Sequence, residues 1–78
     1  MRKKERKLII TFHTTADAIA TERACKEAQL EGRMIPVPRE VSAGCGLAWC
    51  TVPELKDQTI CFLSERNVEW EDIVELMY

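Results

Sequence analysis

Arg33-Met34-Ile35-Pro36-Val37-Pro38-Arg39-Glu40-Val41-Ser42-Ala43-Gly44-Cys45-Gly46-Leu47-Ala48-Trp49-Cys50-Thr51-Val52 determines how this chain is arranged. It contains two β-type runs, Arg33 to Val37 and Gly46 to Val52, with no helical stretch between them. Prolines on both sides of Val37 hold the backbone extended and remove two ladder donors, which places this run at a strand end or a sheet edge. Glycines flank Cys45, so no neighbouring side chain shields its thiol, and both can take positive φ. Arg39 lies six residues upstream of that cysteine.

On either side of this stretch the chain reads as strand plus helix. Lys7 to Phe12 is a β-rich first strand. Thr14-Thr15-Ala16-Asp17 has the form of a capping box, with Thr14 as the cap and Asp17 reaching back from the third helical position. Ala16 to about Gln29 reads as a helix with Ala18, Cys25 and Ala28 near its apolar face, and Gly32 ends it or lies just past its end. Pro53 suits the first turn of a second helix, whose inner stripe is Leu55, Thr59, Ile60, Phe62 and Leu63 and whose stop is Asn67. Ile73 to Tyr78 reads as a final strand, although Glu71 to Met77 has helical propensity as well. The expected fold is α+β: a ferredoxin-like βαββαβ single domain over 1–78, with a four-stranded antiparallel sheet and two helices on one face.

The 78 residues, 46% hydrophobic and 31% charged, fit one soluble domain of small size. A net charge of −2 gives no overall pull toward nucleic acid or anionic membranes. The charge is uneven. Arg2, Lys3, Lys4, Arg6 and Lys7 crowd a basic N-terminal arm over 1–6 and its continuation, which reads as a solubilising tail. Glu69, Glu71, Asp72 and Glu75 crowd the other end. If the last strand lies beside the first, these clusters neutralise each other. The apolar run Leu8 to Phe12 is too short for a signal peptide, and no segment reaches membrane-span length, so a cytoplasmic setting with reduced thiols is expected.

The cysteines are Cys25, Cys45, Cys50 and Cys61, with no Cys-x-x-Cys pair, which argues against a zinc ribbon or a thioredoxin-type dithiol. If Cys45 and Cys50 share one extended strand they lie about 16 Å apart and face opposite ways, too far for a disulfide. Cys25 and Cys61 fall at apolar helix positions and read as small core residues, and Cys50, beside Trp49, reads as packed. No metal site and no cofactor is expected. The topology should gather the end of the first strand, the start of the first helix and the loop into the third strand. His13, Thr14, Thr15, Arg39, Gly44, Cys45 and Gly46 would then be neighbours. A cysteine near a helix N-terminus with an arginine in reach has a lowered pKa and a larger thiolate fraction.

Pro36-Val37-Pro38-Arg39-Glu40 through Cys45-Gly46-Leu47-Ala48, preceded by Phe12-His13-Thr14-Thr15-Ala16-Asp17-Ala18 and a short helix carrying Glu22, resembles the selenium/sulfur carrier-like family of small bacterial domains. The resemblance runs from about Leu8 to Tyr78. It implies a cysteine that holds sulfur or selenium as a persulfide or selenosulfide, here Cys45. It also implies a chalcogen donor enzyme of desulfurase type and an acceptor protein as partners. The chain lacks the Cys-Pro-x-Pro motif of TusA-like sulfur carriers, so their chemistry does not carry over. His13 reads first as a surface histidine at a strand end, and otherwise as an aid to proton transfer or a hydrogen-bond anchor. Arg39 would favour the thiolate, and Thr14, Thr15, Gly44 and Gly46 would frame the bound group.

Two function classes follow. One is a chalcogen carrier that is not an enzyme, with Cys45 as its nucleophile. The other is a small protein-interaction or regulatory module in which Cys45 serves only a tight turn. No Gly-rich phosphate loop, paired catalytic carboxylates or Ser/His/Asp set is present, and His13-Thr14-Thr15 lacks the glycines and arginine of an acylphosphatase loop.

Overall fold

A computed structural model describes residues 4–41 and 46–78. Its elements are β1 (Arg6–Thr11), α1 (Thr15–Glu27), β2 (Arg33–Pro36), β3 (Leu47–Thr51), α2 (Lys56–Glu65) and β4 (Asp72–Met77), with a 3-10 turn at Pro53–Leu55 before α2. The sheet order is β2-β3-β1-β4 and every adjacent pair is antiparallel. This is the ferredoxin-like α+β topology that the sequence leads one to expect. The segment from Ile73 onward is extended, in agreement with its strand reading: Ile73, Val74 and Leu76 pair with Ile10, Ile9 and Lys7.

Thr14 caps α1 as expected. Its backbone is extended at φ −132 and ψ 154, and its Oγ1 accepts the Asp17 N–H at 3.2 Å. The Asp17 carboxylate in turn accepts the Thr14 hydroxyl at 3.0 Å, so the reach back is to the side chain of the cap. Each helix ends in a left-handed residue other than glycine. Gln29 and Asn67 both have φ 59. The N–H groups of the residues that follow, Leu30 and Val68, return to Cys25 O at 2.9 Å and Leu63 O at 3.0 Å. This is the Schellman arrangement, and it turns an apolar side chain back toward the helix.

Asn67 is thus the expected stop. Gln29 takes the terminating role, so Gly32 lies past the helix end, the second of its two expected places, and Ala28 is an exposed cap residue rather than part of the apolar face. Gly32 is needed for a different reason. At φ +146, a Cβ there would lie 2.6 Å from Cζ2 of the buried Trp49 indole. Pro53 opens the 3-10 turn rather than the α-helix itself, and α2 follows directly.

The core has two layers. Leu8, Ile10, Phe12 and Trp49 on one sheet face pack with Ala18 and Cys25 of α1, Leu63 of α2, and Val68. The opposite face carries a second cluster, Ile9, Ile35, Ala48 and Cys50, with Val37, Val74, Leu76 and Tyr78 packed against it. Both helices therefore cover one face, while on the other, among the described residues, the packing comes from side chains of β4 and of the residues just after β2 and β4. Where β4 runs beside β1, one pair from the two charge clusters meets, Arg6 Nη1 lying 3.8 Å from Glu75 Oε1, while Lys7 pairs with Glu5. Among the described residues, no helix is long and apolar enough to cross a membrane.

Candidate functional site

The topology gathers three of the expected pieces. Thr11, the last residue of β1, pairs with Ala48, the second residue of β3, so the strand end, the start of α1 and the entry to β3 share one end of the sheet. Phe12 is fully buried and anchors the turn, while His13, Thr14 and Thr15 are exposed beside it. The first turn of α1 presents N–H groups and partial positive charge at this end.

Gly46 enters the same region. Its carbonyl accepts the Val37 N–H at 3.0 Å, which extends the β2–β3 pairing one step past Pro36 and Leu47. Gly46 has φ +78, and nothing lies within 4 Å of where a Cβ would stand. Backbone conformation, rather than space, is what calls for glycine here. Gly44 and Cys45 lie outside the described residues, and so does the expected separation between Cys45 and Cys50.

Arg39 lines a hollow that His13 does not. Pro38, Arg39 and Glu40 line a hollow with Lys4, Met77 and Tyr78. Tyr78 exchanges backbone hydrogen bonds with Glu5, at the opposite end of the β1–β4 pair from Thr11 and Asp72. The chain turns at once after β2: Pro38 is buried and its carbonyl accepts the Val41 N–H at 3.0 Å. The sequence shows Arg39 six positions before Cys45 but not the direction of this turn.

The other cysteines separate into two kinds. Cys25 is fully buried in the helix-side core, and burial pushes its thiol up to about 11, against a smaller opposing effect of the Arg66 charge. Cys50 is buried on the opposite sheet face. Both agree with their reading as packed residues. Cys61 does not: it is exposed, with Sγ 3.8 Å from Glu65 Oε2 one turn along α2. The reason is helical geometry. The inward residues of α2 are Thr59 and Leu63, and a residue two positions beyond Thr59 points roughly the opposite way.

A second region has no place in the sequence reading. On the face away from the helices, a hollow of about 490 Å³ is lined by Lys7, Arg33, Glu5, Glu31, Cys50 and Tyr78 among others. The Arg33 guanidinium lies 5.9 Å from the centre of the Tyr78 ring. The signal available is the alternation of Val74, Leu76 and Tyr78, which places all three on this face. Among the described residues, no group of three or more His, Cys, Asp or Glu side chains is arranged to hold a metal ion.

Comparison with known proteins adds the family. The model of the family described as "Putative Se/S carrier protein-like" matches residues 7–75. The chain is also similar to the "Uncharacterized protein YtiA" of Escherichia coli (strain K12), at 35% identity over 49 residues. That alignment spans 62% of this chain and 58% of the relative, less than two thirds of its length. No solved structure matches.

Proposed function

The chain belongs to the selenium/sulfur carrier protein-like family, and from that premise we propose that it carries sulfur or selenium on Cys45. The match over residues 7–75 is the observation that carries this reading, because it spans every strand and helix except the first residue of β1 and the last two of β4. The fates of the other thiols support the choice of Cys45. A buried thiol whose pKa is about 11 is almost wholly protonated near neutrality, so Cys25 is a poor nucleophile. Cys50 is enclosed. Cys61 is exposed but sits beside the Glu65 carboxylate, whose charge repels an incoming persulfide anion.

In the proposed step, the Cys45 thiolate attacks the terminal sulfur of a donor persulfide. A new S–S bond forms on Cys45, the donor S–S bond breaks, and its electron pair leaves as the donor thiolate. No external oxidant or reductant is consumed. Release is the same exchange, with an acceptor thiolate as attacker. Selenium would travel as the corresponding selenosulfide. His13, exposed at the sheet end that Gly46 enters, is the proposed acceptor of the thiol proton. The first turn of α1, at Thr14 and Thr15, is proposed to favour the thiolate. Arg39, placed beside Tyr78, is given no part in the step. A donor enzyme of desulfurase type and an acceptor protein complete the reading.

The test is intact mass after exposure to a protein persulfide donor. The wild type should gain about 32 mass units per sulfur, Cys61→Ser should gain the same, and Cys45→Ser should gain none while keeping its circular dichroism. Full uptake by folded Cys45→Ser, with loss in Cys61→Ser, would move the function to α2 and overturn the proposal.

A further inference from the structure

We propose that the groove between α1 and the end of α2 is a docking site for an acidic amphipathic helix of a partner protein. The groove encloses about 550 Å³ and is lined by Ala16, Ile19, Ala20, Arg23, Ala24 and Glu27 of α1, and by Arg66 and Val68 beyond α2. Its floor is small and apolar. Ala24 and Val68 are nearly buried, while Ile19 stands 50% exposed at the edge, one of two large apolar side chains so exposed among the described residues. Small residues at Ala16, Ala20 and Ala24 let a second helix approach closely, and Ile19 offers it an aliphatic contact.

The charges around the floor choose the occupant. Arg23 and Arg66 stand against Glu27, two cations to one anion, in a chain whose net charge is −2. Among the described residues the ion pairs are Arg6–Glu75, Lys7–Glu5 and Lys26–Glu22, so neither arginine of the groove has a carboxylate within 4.0 Å. Arg66 lies over the Phe62 ring, 4.8 Å from its centre, which leaves the guanidinium edge to meet an anion. An apolar floor with two arginines lacking carboxylate partners complements a helix that carries aliphatic residues on one face and carboxylates beside them. Arg is also a residue type enriched where interfaces concentrate their energy. The inference stands apart from the chemistry of Cys45.

Two dye-labelled peptides test it by fluorescence anisotropy at low salt. Both carry leucine on one helical face; one has glutamate and the other lysine on the remainder. The glutamate peptide should bind the wild type and weaken as salt rises. Arg23→Glu with Arg66→Glu should weaken it at least about tenfold and should favour the lysine peptide instead. Arg23→Glu alone, on an exposed helix surface, should give a smaller loss in the same direction, and Ile19→Asp should weaken both peptides. Amide shifts on titration should centre on Ile19, Ala20, Ala24 and Val68. The proposal fails if the wild type does not bind the glutamate peptide, if charge reversal leaves its affinity unchanged, or if the shifts centre elsewhere. It also fails if the wild type sediments as a dimer that charge reversal converts to monomer, since the groove would then hold a second copy of this chain.

Discussion

The two faces of the sheet are closed in different ways. On one, Ile10, Phe12 and Trp49 are locked under two helices, each tied at its end by a left-handed residue and an apolar side chain turned back on it. On the other, Ile9, Ile35, Ala48 and Cys50 pack against Val37, Val74, Leu76 and Tyr78, with no helix among the described residues on that side and the Tyr78 ring against Arg33. Both clusters are buried, yet the first is held by whole elements and the second by single side chains. Equal burial therefore does not imply equal resistance to opening. Regions with few covering contacts open at lower free energy than the global transition.

Adjacent isoleucines give the sharpest way to break this contrast. Ile9 and Ile10 are both fully buried, on the same strand, and face opposite clusters. Ile10→Ala should cost toward the top of the usual range of about 2–5 kcal/mol, because the helices and Trp49 cannot settle into the gap. Ile9→Ala should fall toward the bottom, since its cover can collapse inward. Urea titrations of both variants measure the difference. Equal losses, or a larger one for Ile9, would show the two faces to be equally rigid.

Cysteine labelling extends the contrast to dynamics. Each face carries one buried thiol, Cys25 and Cys50. Cys50 should be alkylated faster than Cys25 under native conditions, read by timed quenching and peptide mapping. Cys25 also gives the helix-covered face a pH signature. Its pKa is raised from 9.0 to about 11 by burial, so the folded state holds the proton more tightly than the unfolded one. That contribution is complete below pH 9 and is lost as pH rises through about 11, with a slope of roughly 1.4 kcal/mol per pH unit between the two. Cys25→Ala should flatten this part of the stability profile; an unchanged profile would mean that the thiol is not sealed.

The smallest expected effect sharpens the account of the second face. Arg33→Ala removes the cation over Tyr78 and should cost about 0.5–1 kcal/mol at this exposed site. It should also speed Cys50 labelling while leaving Cys25 unchanged. A uniform change at both cysteines would assign Arg33 to global stability instead.

Much of this arrangement is legible in the sequence because local signals agree with it. The Thr14 cap, the Asn67 stop and the two successive strands around the Pro- and Gly-bearing connection all act over a few residues. What is not legible depends on direction in three dimensions. Apolar character alone suggests an inward Cys61, although its offset from Thr59 and Leu63 points it out. Gly32 looks like a helix terminator, but the constraint on it is the Trp49 ring, seventeen residues further on. Strand order groups Arg39, as part of the loop into β3, with His13, whereas the turn at Pro38 puts it on a hollow with Tyr78. Thr14, Thr15 and Gly46 do come to one end of the sheet, because strand order alone dictates it. The groove rimmed by Arg23 and Arg66 leaves no local mark, since its two walls are remote in sequence.

The hydrogen bond from Val37 to Gly46 closes the mouth of the connection between β2 and β3, directly beyond the Pro36–Leu47 pair. That bond ties the two ends of the connection to each other, so the strand pairing beyond it does not depend on how many residues lie between them. Doubling such a loop costs only about 0.6 kcal/mol in closure entropy. Residues added between Val41 and Gly44 should therefore leave the pairing of β2 with β3 intact at little thermodynamic cost, so the stability of the sheet and the chemistry of Cys45 can be varied separately.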